Sequence, residues 1–246
     1  MSAPPYPSAH QTRGGDLGQR VGILGGTLDP VHVGHVETAL AARRALALDR
    51  VLIVPSHVPP HKRQIPVASP YHRFAMTALA VNGIDGLEAS DVELSAPGPS
   101  YTANTLDRLL ATGLRASQIF FITGADAFAE IATWSRYPEV LDLSNFVVVS
   151  RPGFASAALP AALPRLADRM IPARAGRDEA RLWVFLVDSA TPDVSSTQIR
   201  RRLESGETIQ GLVPAAVEKH IRQHGLYSVG MSTILQSTAD HLHGHD

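Results

Sequence analysis

The residues in this chain best suited to chemistry lie in GGTLDPVHVGH, residues 25–35. His32 and His35 stand three apart, so on a helix they share one face. Gly25, Gly26 and Thr27 come before them, directly after the apolar run VGIL. A strand that ends in glycines and leads into a helix brings backbone N–H groups close to an anion, and the helix start favours negative charge. Imidazoles in that first turn donate hydrogen bonds to phosphate oxygens as charge builds in a transition state. The plain alternative is a tight turn with one capping and one packed histidine. A zinc reading also stands: His32, His35, His57 and His61 offer nitrogen ligands, although the HExxH arrangement and its glutamate are missing. Neither the dinucleotide fingerprint GxGxxG nor a Gly-Lys pair occurs.

A second candidate is VSSTQIRRRL, residues 194–203. Ser195 and Gln198 have capping-box spacing. Ser196, Thr197 and Arg200 then place hydroxyls, free N–H groups and a guanidinium on the first turn, which is the composition of a phosphate clamp. VPPHKRQ, residues 58–64, is stiffened by two prolines and carries His61, Lys62 and Arg63 in succession. Such a loop suits a triphosphate or a sugar phosphate, or is simply a solvated charged loop. Asp126, in GAD, is placed for a ribose hydroxyl or a cation. Trp134 offers either core packing or a flat face for a stacked ring.

These residues need elements to hold them. Nearly continuous apolar runs predict strands at 21–26, 50–56, 87–94, 118–126, 145–153 and 181–188. Helical spacing and caps predict helices at 32–48, 69–81, 101–113, 195–206 and 214–225, with Ser69 as N-cap before Pro70. Strands alternating with helices imply an α/β fold with one parallel sheet covered on both faces. Ligands in such sheets sit beyond the carboxyl ends of the strands, where most of the unusual polar residues fall. We read residues 21–227 as one domain, with flexible tails at 1–20 and 228–246. The second tail carries His241, His243 and His245.

Composition narrows the functional classes. The formal net charge of −1 excludes a general field for long nucleic acid but allows a local basic patch. The absence of cysteine excludes disulfides and thiolate chemistry and fits a reducing compartment. No apolar run has membrane-spanning length, and the first 20 residues lack the apolar core of a secretory signal.

The motifs, taken together, resemble the nucleotidylyltransferase superfamily, with its (H/T)xGH and SSTxxR signatures. In detail the chain is similar to the bacterial nicotinate-nucleotide adenylyltransferases: GGTLDPVHVGH, VPPHK, PSYTANTL, GADAF with a following Trp, SRPG, VSSTQIRRRL and LVPAAVEKHIRQHGLY occur in order across about residues 21–227. Leu28 departs from the usual Phe, Val194 from a common Ile, and Ser135 from a Tyr found in some members.

The resemblance implies a single Rossmann-like, doubly wound sheet and adenylyl transfer from ATP to nicotinate mononucleotide, giving deamido-NAD and pyrophosphate in NAD biosynthesis. It implies that His32, His35, Lys62 and Arg200 carry the chemistry. Gly25, Gly26, Thr27, Asp126, Ser195, Ser196 and Thr197, with His32, His35 and Arg200, would bind ATP. Tyr101, Thr102, Trp134 and Arg151 would meet the mononucleotide. Mg²⁺ would arrive with ATP, held mainly by phosphates and not directly by the protein. A cytoplasmic setting without nucleic-acid or membrane partners follows, and a homo-oligomer is compatible with the sequence. The rival readings are a relative acting on pantetheine phosphate or nicotinamide mononucleotide, a metal-dependent hydrolase, and a nucleotide-binding module without catalysis.

Overall fold

The computed structural model describes residues 18–59, 67–95, 98–175 and 180–228. Strand β1 (Val21–Gly26) lies inside the sheet, flanked in parallel by β2 (Arg50–Pro55) and β4 (Ile119–Gly124). Beyond β2 lies β3 (Leu87–Ala89), and beyond β4 lie β5 (Asn145–Val149), β7 (Val184–Val187) and β6 (Met170–Pro172). The order is β3-β2-β1-β4-β5-β7-β6, and every pairing is parallel. The chain moves one way from β1 through β2 to β3, then returns to the other side of β1 with β4. The carboxyl ends of β1 and β4 therefore bound a crevice at the point where the strand order reverses.

The apolar runs are continuous because both faces of the sheet are covered; all five residues of β5 are buried. One face packs against α1 (Val33–Leu46), α2 (Pro70–Val81), α6 (Ser196–Glu204) and α7 (Ala215–Gln223), through Ala39, Met76, Ile199 and Val217. The other packs against α3 (Thr102–Ala111), α4 (Ala125–Ala129) and α5 (Leu159–Ala162), through Leu106, Phe128 and Leu159. The predicted cap on α2 is present: Ser69 Oγ accepts from His72 N at 3.3 Å.

Three expectations change. The strand expected over 87–94 stops at Ala89, and the chain then turns through 92–95 and carries Glu93 inward. Strand β6 was not foreseen, since three residues are too few to show a period. Helix α1 starts at Val33, so His32 is its N-cap and not a first-turn residue. No helix among the described residues is long and apolar enough to cross a membrane.

Candidate active site

The loop from β1 to α1 is held from inside. Gly25 and Gly26 are the last residues of β1, and neither has the left-handed backbone that would demand glycine. A Cβ on Gly25 would meet the Phe121 ring at 3.6 Å, so what the missing side chain leaves is room between β1 and β4. The left-handed residue is Leu28, at φ 51°, and its side chain is buried. Next to it, the buried Asp29 carboxylate accepts from Val67 N at 2.9 Å, Ala68 N at 3.1 Å and Tyr227 Oη at 2.7 Å. Burial, the Asp29 charge and this hydrogen bond all raise the Tyr227 pKa, so its hydroxyl stays a donor.

Arg73 is wholly buried and staples three segments by their carbonyls: Thr27 O at 2.7 Å, His57 O at 3.2 Å and Ala68 O at 3.2 Å. Burial lowers its pKa, while the charges of Asp29, Tyr227 and Glu93 oppose that shift.

The two motif histidines form a pair. Their rings lie 3.7 Å apart between centroids, and His32 N donates to His35 Nδ1 at 3.2 Å. That bond puts the proton of a neutral His35 on Nε2. His32 is 2% exposed, and burial, with Arg151 adding to it, lowers its pKa from 6.5 to about 4. It is therefore neutral at pH 7, and its Nδ1 is buried with no hydrogen-bond partner. Gly34 leaves the His32 ring its room: a Cβ would crowd that ring at 3.1 Å and stand 3.4 Å from Pro192 O. The start of α1 is also partly satisfied from within, because Val33 N donates to Leu212 O at 3.1 Å.

Helix α6 is moored to the same loop. Ser195 is its N-cap, and its Oγ accepts from Gln198 N at 3.1 Å. Ser196 Oγ donates to Pro30 O at 2.9 Å, and Arg200 Nη1 donates to Asp29 O at 2.6 Å. Arg200 Nη2 reaches Thr197 Oγ1 at 3.3 Å. Two residues of α6 thus hold two consecutive carbonyls of the β1–α1 loop. That brings together the beginnings of two helices that start 163 residues apart, at Val33 and Ser196, both electropositive through their dipoles.

Beside them, at the switch point, is a cleft of about 250 Å³ lined by Gly25, Gly26, Thr27, Ser56, Pro59, Glu93, Ser100, Tyr101, Thr102, Phe121, Thr123, Trp134 and Ser135. Trp134 stands edge-on to Phe121, with centroids 5.9 Å apart, and is half-buried. Of the residues expected at the mononucleotide, Tyr101, Thr102 and Trp134 line this cleft and Arg151 does not. Arg151 lines a neighbouring hollow with Asp188 and Thr191. It packs beside Asp126: a Cβ on Gly124 would meet Asp126 Oδ1 at 2.4 Å and Arg151 Cδ at 2.7 Å. Asp126 Oδ1 is buried without a hydrogen-bond partner.

His61, Lys62 and Arg63 lie outside the described residues, as do His241, His243 and His245. Among the described residues no group of three His, Asp or Glu is arranged to hold a metal ion. Sequence reasoning missed Asp29, Gly34, Arg73, Glu93 and Tyr227. Asp29 and Gly34 lie inside the quoted motif, and Arg73 and Glu93 are charges in apolar surroundings, which is the signal that would have found them.

Comparison with known proteins follows this geometry. The cytidylyltransferase-like family model matches residues 23–202. A probable nicotinate-nucleotide adenylyltransferase of Roseiflexus sp. (strain RS-1) is 44% identical over 207 residues, covering 84% of this chain and 97% of its own length. Its counterpart in Desulfatibacillum aliphaticivorans is 39% identical over 222 residues, covering 85% and 99%. Among solved structures, Plasmodium falciparum nicotinic acid mononucleotide adenylyltransferase complexed with NaAD gives a TM-score of 0.64 at 15% identity, covering 85% of this chain and 98% of that one. At that identity the likeness is one of fold.

Proposed function

The chain belongs to the cytidylyltransferase-like family and, within it, to the nicotinate-nucleotide adenylyltransferases; from that premise we propose how its residues transfer the adenylyl group of ATP to nicotinate mononucleotide. A 5′-phosphate oxygen of the mononucleotide attacks the α-phosphorus of ATP. The bond to the β-phosphate bridging oxygen breaks, and deamido-NAD and pyrophosphate result. No covalent enzyme intermediate is needed, so the protein's task is positioning and charge stabilisation.

The observation that carries this reading is the mooring of α6 to the β1–α1 loop, which sets Ser196, Thr197 and Arg200 beside His32 and His35. In our reading His35 Nε2–H donates to the α-phosphate. Neutral His32 sets the His35 ring through stacking and its own backbone N–H. Arg200, Thr197 and Ser196 meet the β- and γ-phosphates, together with Lys62. Asp126 and Arg151, brought together by Gly124, serve the ATP side. Trp134 stacks the nicotinate ring, and backbone N–H groups at the start of α3, near Tyr101 and Thr102, meet its carboxylate.

Asp29 has both carboxylate oxygens engaged. Asp29 is thereby unavailable to a cation, and a magnesium ion would arrive with ATP, held mainly by its phosphates. When bound, Mg²⁺ neutralises charge on the triphosphate. Both substrates are small metabolites, which supports a cytoplasmic enzyme with neither nucleic acid nor membrane as partner.

The test is pyrophosphate release from ATP and Mg²⁺, with nicotinate and nicotinamide mononucleotides run in parallel. Strong preference for the acid is expected. Equal or reversed preference overturns the substrate, and release with neither overturns the reaction.

A further inference from the structure

Glu93 stands in the cleft with one oxygen unmet. It is 6% exposed, and its Oε1 accepts from Thr105 Oγ1 at 2.6 Å. Its Oε2 is buried and has no hydrogen-bond partner. A buried carboxylate oxygen without a donor costs stability unless something supplies one. Arg73 lies within electrostatic reach but directs its bonds to the carbonyls of Thr27, His57 and Ala68. It supplies field to Glu93, not a hydrogen bond. Glu93 lines the same cleft as Thr27, Ser100, Thr102 and Trp134, so the missing donor is to be sought on whatever fills that cleft.

The chemistry of the substrate narrows the choice, given the function proposed above. At neutral pH the nicotinate carboxylate is ionised and accepts hydrogen bonds. The 5′-phosphate is mainly ionised and is committed to the reaction. The pyridinium ring carries no N–H. The donors left are the 2′- and 3′-hydroxyls of the ribose. We infer that Glu93 Oε2 accepts a hydrogen bond from a ribose hydroxyl of the mononucleotide, which makes Glu93 a specificity-determining residue for ribonucleotide over deoxyribonucleotide. The cationic ring beside the same carboxylate adds attraction. The nicotinate carboxylate is repelled by it, so the ring enters with that group turned away from Glu93.

The experiment measures kcat/KM at saturating ATP for wild type, Glu93→Ala and Glu93→Gln. Each is tested with nicotinate mononucleotide and with its 2′-deoxy and 3′-deoxy analogues. Wild type is expected to lose at least about ten-fold on one analogue, as a site built to bind a hydroxyl does when the hydroxyl is absent. Glu93→Ala is expected to raise KM for the mononucleotide about ten-fold while leaving KM for ATP unchanged, and to treat parent and analogue within about three-fold of each other. Glu93→Gln keeps an acceptor for Thr105 and is expected to fall between the two. Use of both analogues as efficiently as the parent nucleotide by wild type overturns the inference without any variant having to fold. So does full discrimination retained in Glu93→Gln or Glu93→Ala, since a purely structural glutamate would disturb both substrates and leave discrimination intact. Failure of wild type to turn over the parent nucleotide would instead overturn the proposed function.

Discussion

At the proposed phosphate end of the site the backbone is held by the protein's own side chains, although His32 Nδ1 and Asp126 Oδ1 are buried without a partner. Asp29 accepts three hydrogen bonds, Arg73 spans three carbonyls, and α6 grips two more carbonyls of the β1–α1 loop. At the ring end the protein is left incomplete: Trp134 stays half-buried beside an open cleft, and Glu93 keeps an oxygen without a donor. The difference follows from what each end must do. Stabilising charge in a transition state needs donors fixed before the reaction, since reorganisation costs free energy at the moment of transfer. Recognising a substrate needs groups that become satisfied only when the right molecule arrives.

The contrast can be broken experimentally, and the sharpest cut is at His35. Replacement by Ala is expected to lower kcat by about 10²–10³-fold, the range for losing one transition-state donor, with the fold retained. An unchanged kcat in stopped or continuous pyrophosphate assays would remove His35 from the chemistry. Next comes acid. The unfolded chain protonates His32 near its ordinary value of 6.5, and the folded chain only at about 4. Stability is therefore lost as pH falls through that window, by roughly 3 kcal/mol at its lower end. Urea midpoints at pH 7 and pH 4.5 should differ less in His32→Asn than in wild type; an equal difference would mean that other groups set the acid limit.

At the ring end, Trp134→Ala is expected to raise KM for the mononucleotide about ten-fold through lost stacking. A change confined to KM for ATP would show that the two ends had been assigned the wrong way round. The smallest effect belongs to Tyr227→Phe. Asp29 keeps its two backbone donors there, so we expect a loss of about 1 kcal/mol, read as a lower Tm, with KM for the mononucleotide unmoved.

Much of this frame is legible in the sequence. Continuous apolar runs gave β1, β2, β4, β5 and β7, and Ser69 with Pro70 marked the start of α2. Those signals are local, each carried within a few residues. The bonds that assemble the site are not local: Asp29 meets Val67 across 38 positions and Tyr227 across 198, and Ser196 meets Pro30 across 166. No periodicity encodes such pairs. Glu93 was hidden for another reason, since its segment alternates like a strand while the chain in fact turns there to bury a charge. The motif histidines were visible, but only the three-dimensional packing separates a neutral, buried His32 from the His35 whose Nδ1 accepts from the His32 backbone.

The Tyr227–Asp29 bond also bears on how the enzyme comes into being. Translation delivers β1, the glycines and the histidine pair close together, yet the hydroxyl that completes the Asp29 acceptor set is made 198 residues after Asp29. The mooring helix α6 likewise follows all seven strands in the chain. A nascent chain can thus bury much of its sheet while its nucleotide centre is unfinished. Adenylyl transfer then waits on α6, and a product cut short before that helix would fold around a β1–α1 loop without its mooring.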